Sequence, residues 1–205
     1  NKDLDKAIEL YTIAANSGLA AAQFNLGRCY IQKAIELYTL AADSGLPEAQ
    51  VNLAMCYVNG NGVEKNPRKA IELLKRGAEL GHADALYNLG ICYIILDEPE
   101  KDIQKGIQLL TTAADAGDRR AQSSLGLCYY TGDGVKKDIN KAVEMFSLAA
   151  DLGDACSQFN LAILYFNGEG VQKDIPKAIK LMTLAAEAGY SGASNSLLQM
   201  QRKIQ

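Results

Sequence analysis

The fold is decided by residues 121–153, which read AQSSLGLCYYTGDGVKKDINKAVEMFSLAADLG. Related stretches recur along the chain, and their closing glycines stand 36 residues apart at Gly45, Gly81, Gly117, Gly153 and Gly189. We number the places of each repeat from 1, the residue after such a glycine, to 36, the next glycine. Self-similarity at a fixed period is the signature of a repeat architecture, so local patterns are interpreted within this period.

Each repeat is predicted to form two helices. A small residue, a leucine and a tyrosine hold places 4, 8 and 12, a spacing that puts them on one helical face. A glycine-rich turn such as Gly132-Asp133-Gly134 follows, because glycine permits the positive φ of a tight turn. The second helix begins after a residue that can cap free backbone N–H groups, namely Asn66, Asp102, Asp138 or Asp174. The glycine at place 36 is predicted to end it in a left-handed conformation.

Neither helix of a repeat can bury its apolar face alone, so the repeats must stack. The sequence therefore predicts an all-α protein, an α-solenoid of about six stacked helix-turn-helix repeats, forming a single domain over 1–205. The predicted units are a partial repeat at 1–18, a repeat at 19–45 with nine residues missing after Tyr30, full repeats at 46–81, 82–117, 118–153 and 154–189, and a C-terminal capping helix at 190–205. In the repeat 82–117, the segment LDEPEKD replaces the glycine turn, and its geometry stays open.

The junction after Tyr30 breaks the pattern. Tyr30 holds place 12, and the next residue, Ile31, aligns with place 22, so the turn and the cap are both absent. Two antiparallel helices need a loop of about two residues or more. We expect a mobile loop to join Tyr30 to Ile31 in the protein and to be missing from the sequence. The alternative is a single long helix, which would break the stack between the flanking repeats.

The pattern AQxNLGxCYxxGxGVxKDxxKAIELYxLAAxxG resembles the Sel-one-like repeat, a relative of the tetratricopeptide repeat. Residues 46–189 match it over four full units. The resemblance implies a right-handed superhelix with the first helices lining its concave side. It also implies a non-enzymatic scaffold or adaptor that binds a peptide or a partner domain in that groove.

Composition argues against several other classes. The net charge is −3, and acidic and basic residues are mixed along the chain, so the sequence does not predict a basic surface that binds nucleic acid. The longest apolar runs are too short for membrane insertion, and no leader opens the chain. The lysines at place 24 (Lys6, Lys33, Lys69, Lys105, Lys141 and Lys177) are interpreted as a solvated edge with local charge pairing rather than a phosphate-binding stripe.

The cysteines are predicted to be free thiols. Four of the five share place 11 in successive repeats, whereas a disulfide needs Cα atoms within about 7 Å. Equivalent places lie about two helix-packing distances apart, so this column cannot cross-link itself. Free thiols indicate a reducing compartment, and we expect a cytoplasmic location.

Catalytic and metal-binding residues are not apparent. His82 is the only histidine, which leaves neither a Ser-His-Asp triad nor a histidine metal site, and no cofactor is expected. We therefore predict no enzymatic activity. Two alternatives stay open: a small-ligand or hydrolase activity, as proposed for cysteine-rich relatives, or a targeting module attached to a catalytic domain such as a kinase.

The candidate binding site is the second face of each first helix, at places 3, 6, 7, 10, 13 and 14. An asparagine at place 7 can hold an extended peptide, or it can satisfy contacts inside the array. Apolar residues on this face can bind a partner, or they can pack against neighbouring first helices. Arg28, Arg119 and Arg120 could add selectivity for an acidic segment. The predicted groove residues are Phe24, Asn25, Asn52, Met55, Tyr87, Asn88, Ile91, Tyr130, Phe159, Asn160, Ile163 and Phe166.

Overall fold

A computed structural model describes residues 2–97, 99 and 101–203, which form α-helices and no strand. The helices are α1 Lys2–Asn16, α2 Ala20–Asp43, α3 Pro47–Asn59, α4 Pro67–Glu79, α5 Ala83–Ile95, α6 Ile103–Asp115, α7 Arg119–Thr131, α8 Ile139–Asp151, α9 Ala155–Asn167, α10 Ile175–Glu187 and α11 Ala193–Arg202. The all-α prediction is confirmed. The chain divides into two compact units: unit 1 is Asn1–Cys92 with Leu96–Glu100, and unit 2 is Tyr93–Ile95 with Lys101–Gln205.

The predicted helix caps are present. The side chain of Asp138 accepts a hydrogen bond from the backbone N–H of Lys141, at 3.1 Å, and so caps the start of α8. Asn66, Asp102 and Asp174 do the same for α4, α6 and α10. The glycine at place 36 takes a positive φ in every repeat, as predicted, because this conformation is strained for a residue with a Cβ. The sequence prediction overlooked the caps of two first helices, Asp118 before α7 and Asp154 before α9.

The glycine turn allows an isoleucine of the preceding second helix to approach the backbone closely. Gly134, with a φ of +70°, lies against Ile103 and Ile107 of α6, and a Cβ at this glycine would overlap Ile103. Gly62 in unit 1 lies in the same way against Ile31, where an added Cβ would come within 2.5 Å. The second glycine of each turn is therefore required both by φ and by packing.

The two helices of one repeat meet through a small residue at place 9. A Cβ at Gly126 of α7 would lie 2.6 Å from two ring carbons of Phe146 in α8, and that ring is 1% exposed. At the end of the same interface, the Lys141 ammonium lies 5.2 Å from the ring centroid of Tyr129. The same pairing of places 12 and 24 joins Tyr57 to Lys69, Tyr93 to Lys105 and Tyr165 to Lys177. Much of the lysine column thus pairs locally, with tyrosine rings.

Successive repeats are joined by a column of glutamines at place 5, which the helical pattern did not single out. Gln122 Nε2 donates to the backbone oxygen of Ala114 at 3.2 Å, and Gln158 Nε2 donates to that of Ala150 at 3.3 Å. Both glutamines are buried. Each one links a first helix to the second helix of the preceding repeat.

At the Tyr30–Ile31 junction the structure shows the alternative of a single long helix. No loop separates these residues: α2 is one continuous helix of 24 residues, which was the alternative to the expected loop. With no turn residues between them, the two half-repeats share one run of backbone hydrogen bonds. The expected break in the stack with the following repeat does not occur, because Gln50 Nε2 still donates to Ala42 O at 3.3 Å.

The two ends of the chain differ in burial. α1 contains no buried residue, whereas α11 buries Ala193 and Met200 against Met182 and Ala185 of α10. The remaining residues of α11 are mostly exposed, the pattern expected of a capping helix. In the segment LDEPEKD, residues 98 and 100 lie outside the described part of the chain, as do 1, 204 and 205.

Candidate functional site

In unit 1, the predicted groove residues lie on three first helices. Asn52 on α3 is exposed, and Phe24 on α2 is 69% exposed, unusually high for a phenylalanine. The other predicted residues of this unit are half-buried, namely Asn25, Met55, Tyr87, Asn88 and Ile91. Unit 1 therefore presents one exposed amide, Asn52, together with half-buried amides and apolar side chains on the same face of three first helices.

Two asparagines at place 7 share one geometry. Asn88 Nδ2 donates to the backbone oxygen of Asp84, at 2.7 Å, and Asn160 Nδ2 donates to that of Cys156, at 2.9 Å. Each amide group is thus anchored to its own helix one turn earlier. This is the contact inside the array that stood as the alternative to ligand binding. Asn88 uses one of its two Nδ2 N–H groups in this bond, so its second N–H and the Oδ1 acceptor remain for a ligand.

In unit 2, the predicted groove residues are half-buried and take part in packing. Phe159, Ile163 and Phe166 of α9 pack against the cluster formed by α9, α10 and α11. The ring of Phe159 lies 5.0 Å from that of Tyr190, and Tyr130 packs on the cluster around Phe146. In this unit the aromatic residues of the predicted groove therefore pack against the protein itself, which was the alternative to binding a partner.

A cleft of about 660 Å³ opens in unit 1 between α1, the middle of α2 and the α3–α4 turn. Asn25 lines it together with Arg28, Tyr11 and Glu64. The wall carries an amide, a cation and a carboxylate beside apolar groups, a mixture suited to a polar chain with apolar side groups.

The arginines proposed for acidic selectivity have protein partners in unit 2. Arg120 Nη2 lies 2.6 Å from Asp118 Oδ2, and Arg119 Nη1 donates to the backbone oxygen of Leu152 at 3.1 Å. Arg28, which lines the unit 1 cleft, is the remaining candidate for this role.

All five cysteines are free thiols, as predicted, and Cys92 is the most buried. Burial raises the pKa of the Cys92 thiol to about 11 and also raises the pKa of Cys56 and Cys128. These thiols are therefore held in the protonated, weakly nucleophilic form at neutral pH.

We expect Cys92 to react with iodoacetamide at pH 8 at least ~100-fold more slowly than free cysteine, since its thiolate fraction is lower by about that factor. The rate is measured by mass spectrometry of the peptide that contains Cys92. The same site in urea-unfolded protein is the control and should react at the free rate. A folded-state rate within about tenfold of free cysteine would contradict the assigned burial.

The described part of the chain offers little to catalysis or to metal binding. No group of three or more His, Cys, Asp or Glu residues there could hold a metal ion. His82 precedes α5, and its Nε2 lies 3.4 Å from Glu48 Oε1, so it stands at a helix start as predicted. Nor does any described helix combine the length and apolarity needed to cross a bilayer.

The paired helices, their caps and their glutamine links define the class of the protein as an all-α repeat solenoid. The Sel1 repeat family model matches residues 1–19, 20–32, 31–46, 47–82, 83–118, 119–154 and 157–190, and the chain belongs to this family. The model matches the two halves of α2 separately, in agreement with a fused pair of half-repeats. Sel1 repeat proteins are generally protein-interaction scaffolds and are typically non-catalytic.

Solved structures show the same relationship. A Sel1 repeat protein from Oxalobacter formigenes is 32% identical with a TM-score of 0.74, and the match covers 93% of this chain and 86% of that one. A protective antigen of uropathogenic Escherichia coli with an SLR fold is 34% identical with a TM-score of 0.75, over 81% of this chain and 36% of that chain. The chain thus spans little more than a third of that antigen's length.

Helicobacter pylori cysteine rich protein B is 27% identical with a TM-score of 0.52, and the match covers 66% of this chain and 98% of that one. No curated protein sequence matches the chain at a significant level.

Proposed function

We propose that the chain is a non-enzymatic interaction scaffold that binds an extended peptide, or an extended segment of a partner domain, along its first-helix faces. The observation that carries this proposal is the anchored amide at place 7. Asn88 is tied to Asp84 O through its nitrogen, which fixes the side chain before any ligand arrives. A rotamer that is already fixed lowers the entropy cost of binding, which for a flexible side chain is about 0.5–1.5 kcal/mol.

The binding mode follows from the donor and acceptor inventory. Each anchored asparagine presents an oxygen to a ligand N–H, and an extended peptide offers such groups at a regular spacing. In unit 1 the anchored asparagine is Asn88, and Asn25 and Asn52 hold the same place 7 of their repeats, flanked by Phe24 and by the cleft beside Arg28. In unit 2 the corresponding asparagine is Asn160, beside apolar groups that already pack in the protein. We therefore assign the larger share of binding to unit 1.

The free thiols support a proposed location in a reducing compartment such as the cytoplasm, since five unpaired cysteines persist best where thiols are kept reduced. Expression of the tagged protein followed by fractionation tests this location directly.

The scaffold is tested with a peptide selected from a random display library on the wild-type protein. We expect the double variant Asn52→Ala, Asn88→Ala to bind this peptide about tenfold more weakly or worse, because two hydrogen bonds worth about 0.5–1.5 kcal/mol each are removed. Fluorescence anisotropy gives the Kd of each protein.

The matched control is Asn59→Ala with Asn61→Ala, two exposed asparagines at the end of α3 and in the following turn. The control should bind like wild type, and all three proteins should share one thermal melting curve. An unchanged Kd in the Asn52/Asn88 variant, or an equal loss of affinity in the control, contradicts the assignment of these asparagines to peptide binding.

A further inference from the structure

The long helix α2 makes two of the three interfaces that the halves of an intact repeat make. Its first half contacts α1, where Gln23 Nε2 donates to Ala15 O at 3.4 Å. Its second half contacts α3, where Gln50 Nε2 donates to Ala42 O at 3.3 Å. Both are the link between place 5 and the preceding place 33 that Gln122 and Gln158 make in intact repeats. α2 is thus correctly joined to both neighbours.

The third interface, between the two halves of one repeat, is absent at α2. In the repeat 118–153 this interface places Phe146 on Gly126. The equivalent glycine of α2 is Gly27, and a Cβ added there would meet nothing within 4 Å. Since both halves lie on one continuous helix, they cannot fold onto each other.

Because this interface is missing, side chains of α2 are more exposed than the equivalent side chains of intact repeats. Leu37 at place 28 is 56% exposed, whereas Leu73 at the same place of α4 is 5% exposed. Tyr38 at place 29 is half-buried, whereas the residues at place 29 of α4, α6, α8 and α10 are at most 1% exposed. Tyr30 is 53% exposed and lies on the same helix as Lys33, its expected cation partner from place 24.

The positions of the missing internal interface fall on one line along α2. The residues that an intact repeat would use for its internal interface are Gln23, Gly27, Tyr30, Ala34, Leu37 and Ala41, here called the open stripe. Their spacing alternates four, three, four, three and four residues, which is the heptad spacing of a helix that packs lengthwise against another helix. The two half-interfaces have therefore become one continuous seam from Gln23 to Ala41, about 27 Å long at the helical rise of about 1.5 Å per residue.

We propose that the open stripe is covered by the open stripe of a second copy of this chain, in an antiparallel pair of α2 helices. Each chain then supplies the half-repeat that the other lacks, and two complete repeats form across the dimer. A surface that pairs with itself about a two-fold axis gives a closed dimer. Shortening a hinge between packed helices is also a known route to exchange of elements between copies.

The register follows from the intact repeats. Gly126 meets Phe146, so Gly27 meets the partner's Tyr38, which lies next to Leu37 at the edge of the open stripe. Tyr129 meets Lys141, so Tyr30 meets the partner's Lys33, which lies next to Ala34 at the same edge. Both pairs are centred close to Gln32, so one two-fold axis near this residue serves the whole seam. A second copy of this chain fits the open stripe best, because each half of α2 carries the surface that complements the other half.

The dimer is tested by size-exclusion chromatography with light scattering at about 100 µM, well above micromolar dissociation constants. The expected mass is twice the 22.1 kDa of one chain. A copy of residues 130–138 inserted between Tyr30 and Ile31 restores the missing places 13–21 and should give a monomer. A monomeric wild type, or an insertion variant that stays dimeric, overturns the proposal.

The register is tested by Gly27→Leu. The site is open in the single chain, so the variant should keep the helical spectrum of wild type, while the added side chain should weaken the dimer at least tenfold by colliding with the partner's Tyr38. The matched control, Ala21→Leu, introduces the same side chain at an exposed small residue of α2 that lies off the stripe, and it should remain dimeric. Equal dimer dissociation constants for Gly27→Leu and wild type overturn the proposed seam.

Discussion

Replacing Phe146 with alanine is expected to lower the free energy of unfolding by about 3–5 kcal/mol, the range found for a buried phenylalanine. The ring is 1% exposed and fills the space above Gly126, where it packs with Ala142, Leu161 and Leu164. The large cost has a local reason, because the facing residue is a glycine and can provide no side chain to refill the cavity. Urea unfolding followed by circular dichroism measures it.

The matched control for this change is Phe24→Ala, which removes the same side chain from an exposed position on α2. Its expected effect on the free energy of unfolding is within about 0.5 kcal/mol, as for most surface substitutions. A second variant, Gly126→Ala, adds one methyl group to the same contact and is expected to cost about 1–3 kcal/mol by overpacking, less the gain in helix propensity. Equal stabilities of the Phe146 and Phe24 variants would contradict the packing.

Replacing Gly134 with alanine is expected to destabilise the protein by about 2–5 kcal/mol, from two separate sources. The φ of +70° costs an alanine about 1–2 kcal/mol, and the new Cβ overlaps Ile103 of α6. The overlap forces the preceding second helix to shift, since Ile107 stands immediately behind it. Denaturant midpoints and slopes of the variant and wild type measure the loss.

Gly153→Ala separates the two sources. This glycine has a φ of +80°, but an added Cβ would meet nothing within 4 Å. Its substitution should therefore cost only the backbone part, about 1–2 kcal/mol. If the two glycine variants lose the same stability, the close approach of Ile103 to the turn is not a constraint on the fold.

The candidate site was predicted only in part, for a physical reason. Place 7 could be identified as an asparagine column from the period alone. The sequence could not show that Asn88 donates to Asp84 O, because such a bond depends on the rotamer. It also could not show that Phe159 packs beside Tyr190 and α11, since contacts between residues far apart in the chain depend on tertiary packing. Side chains on one helical face therefore differ in accessibility from one unit to the other.

The sequence by itself determined the repeat, the two helices of each unit, the caps and the glycine turns. These features are local: a cap needs an acceptor three residues before an N–H, and a turn needs a residue that tolerates positive φ. Only the tertiary structure decided how the chain continues after Tyr30, which surfaces are covered and which stay open. Packing depends on residues far apart in the chain. Because places 13–21 are absent after Tyr30, two matching surfaces lie on one helix, where they cannot contact each other.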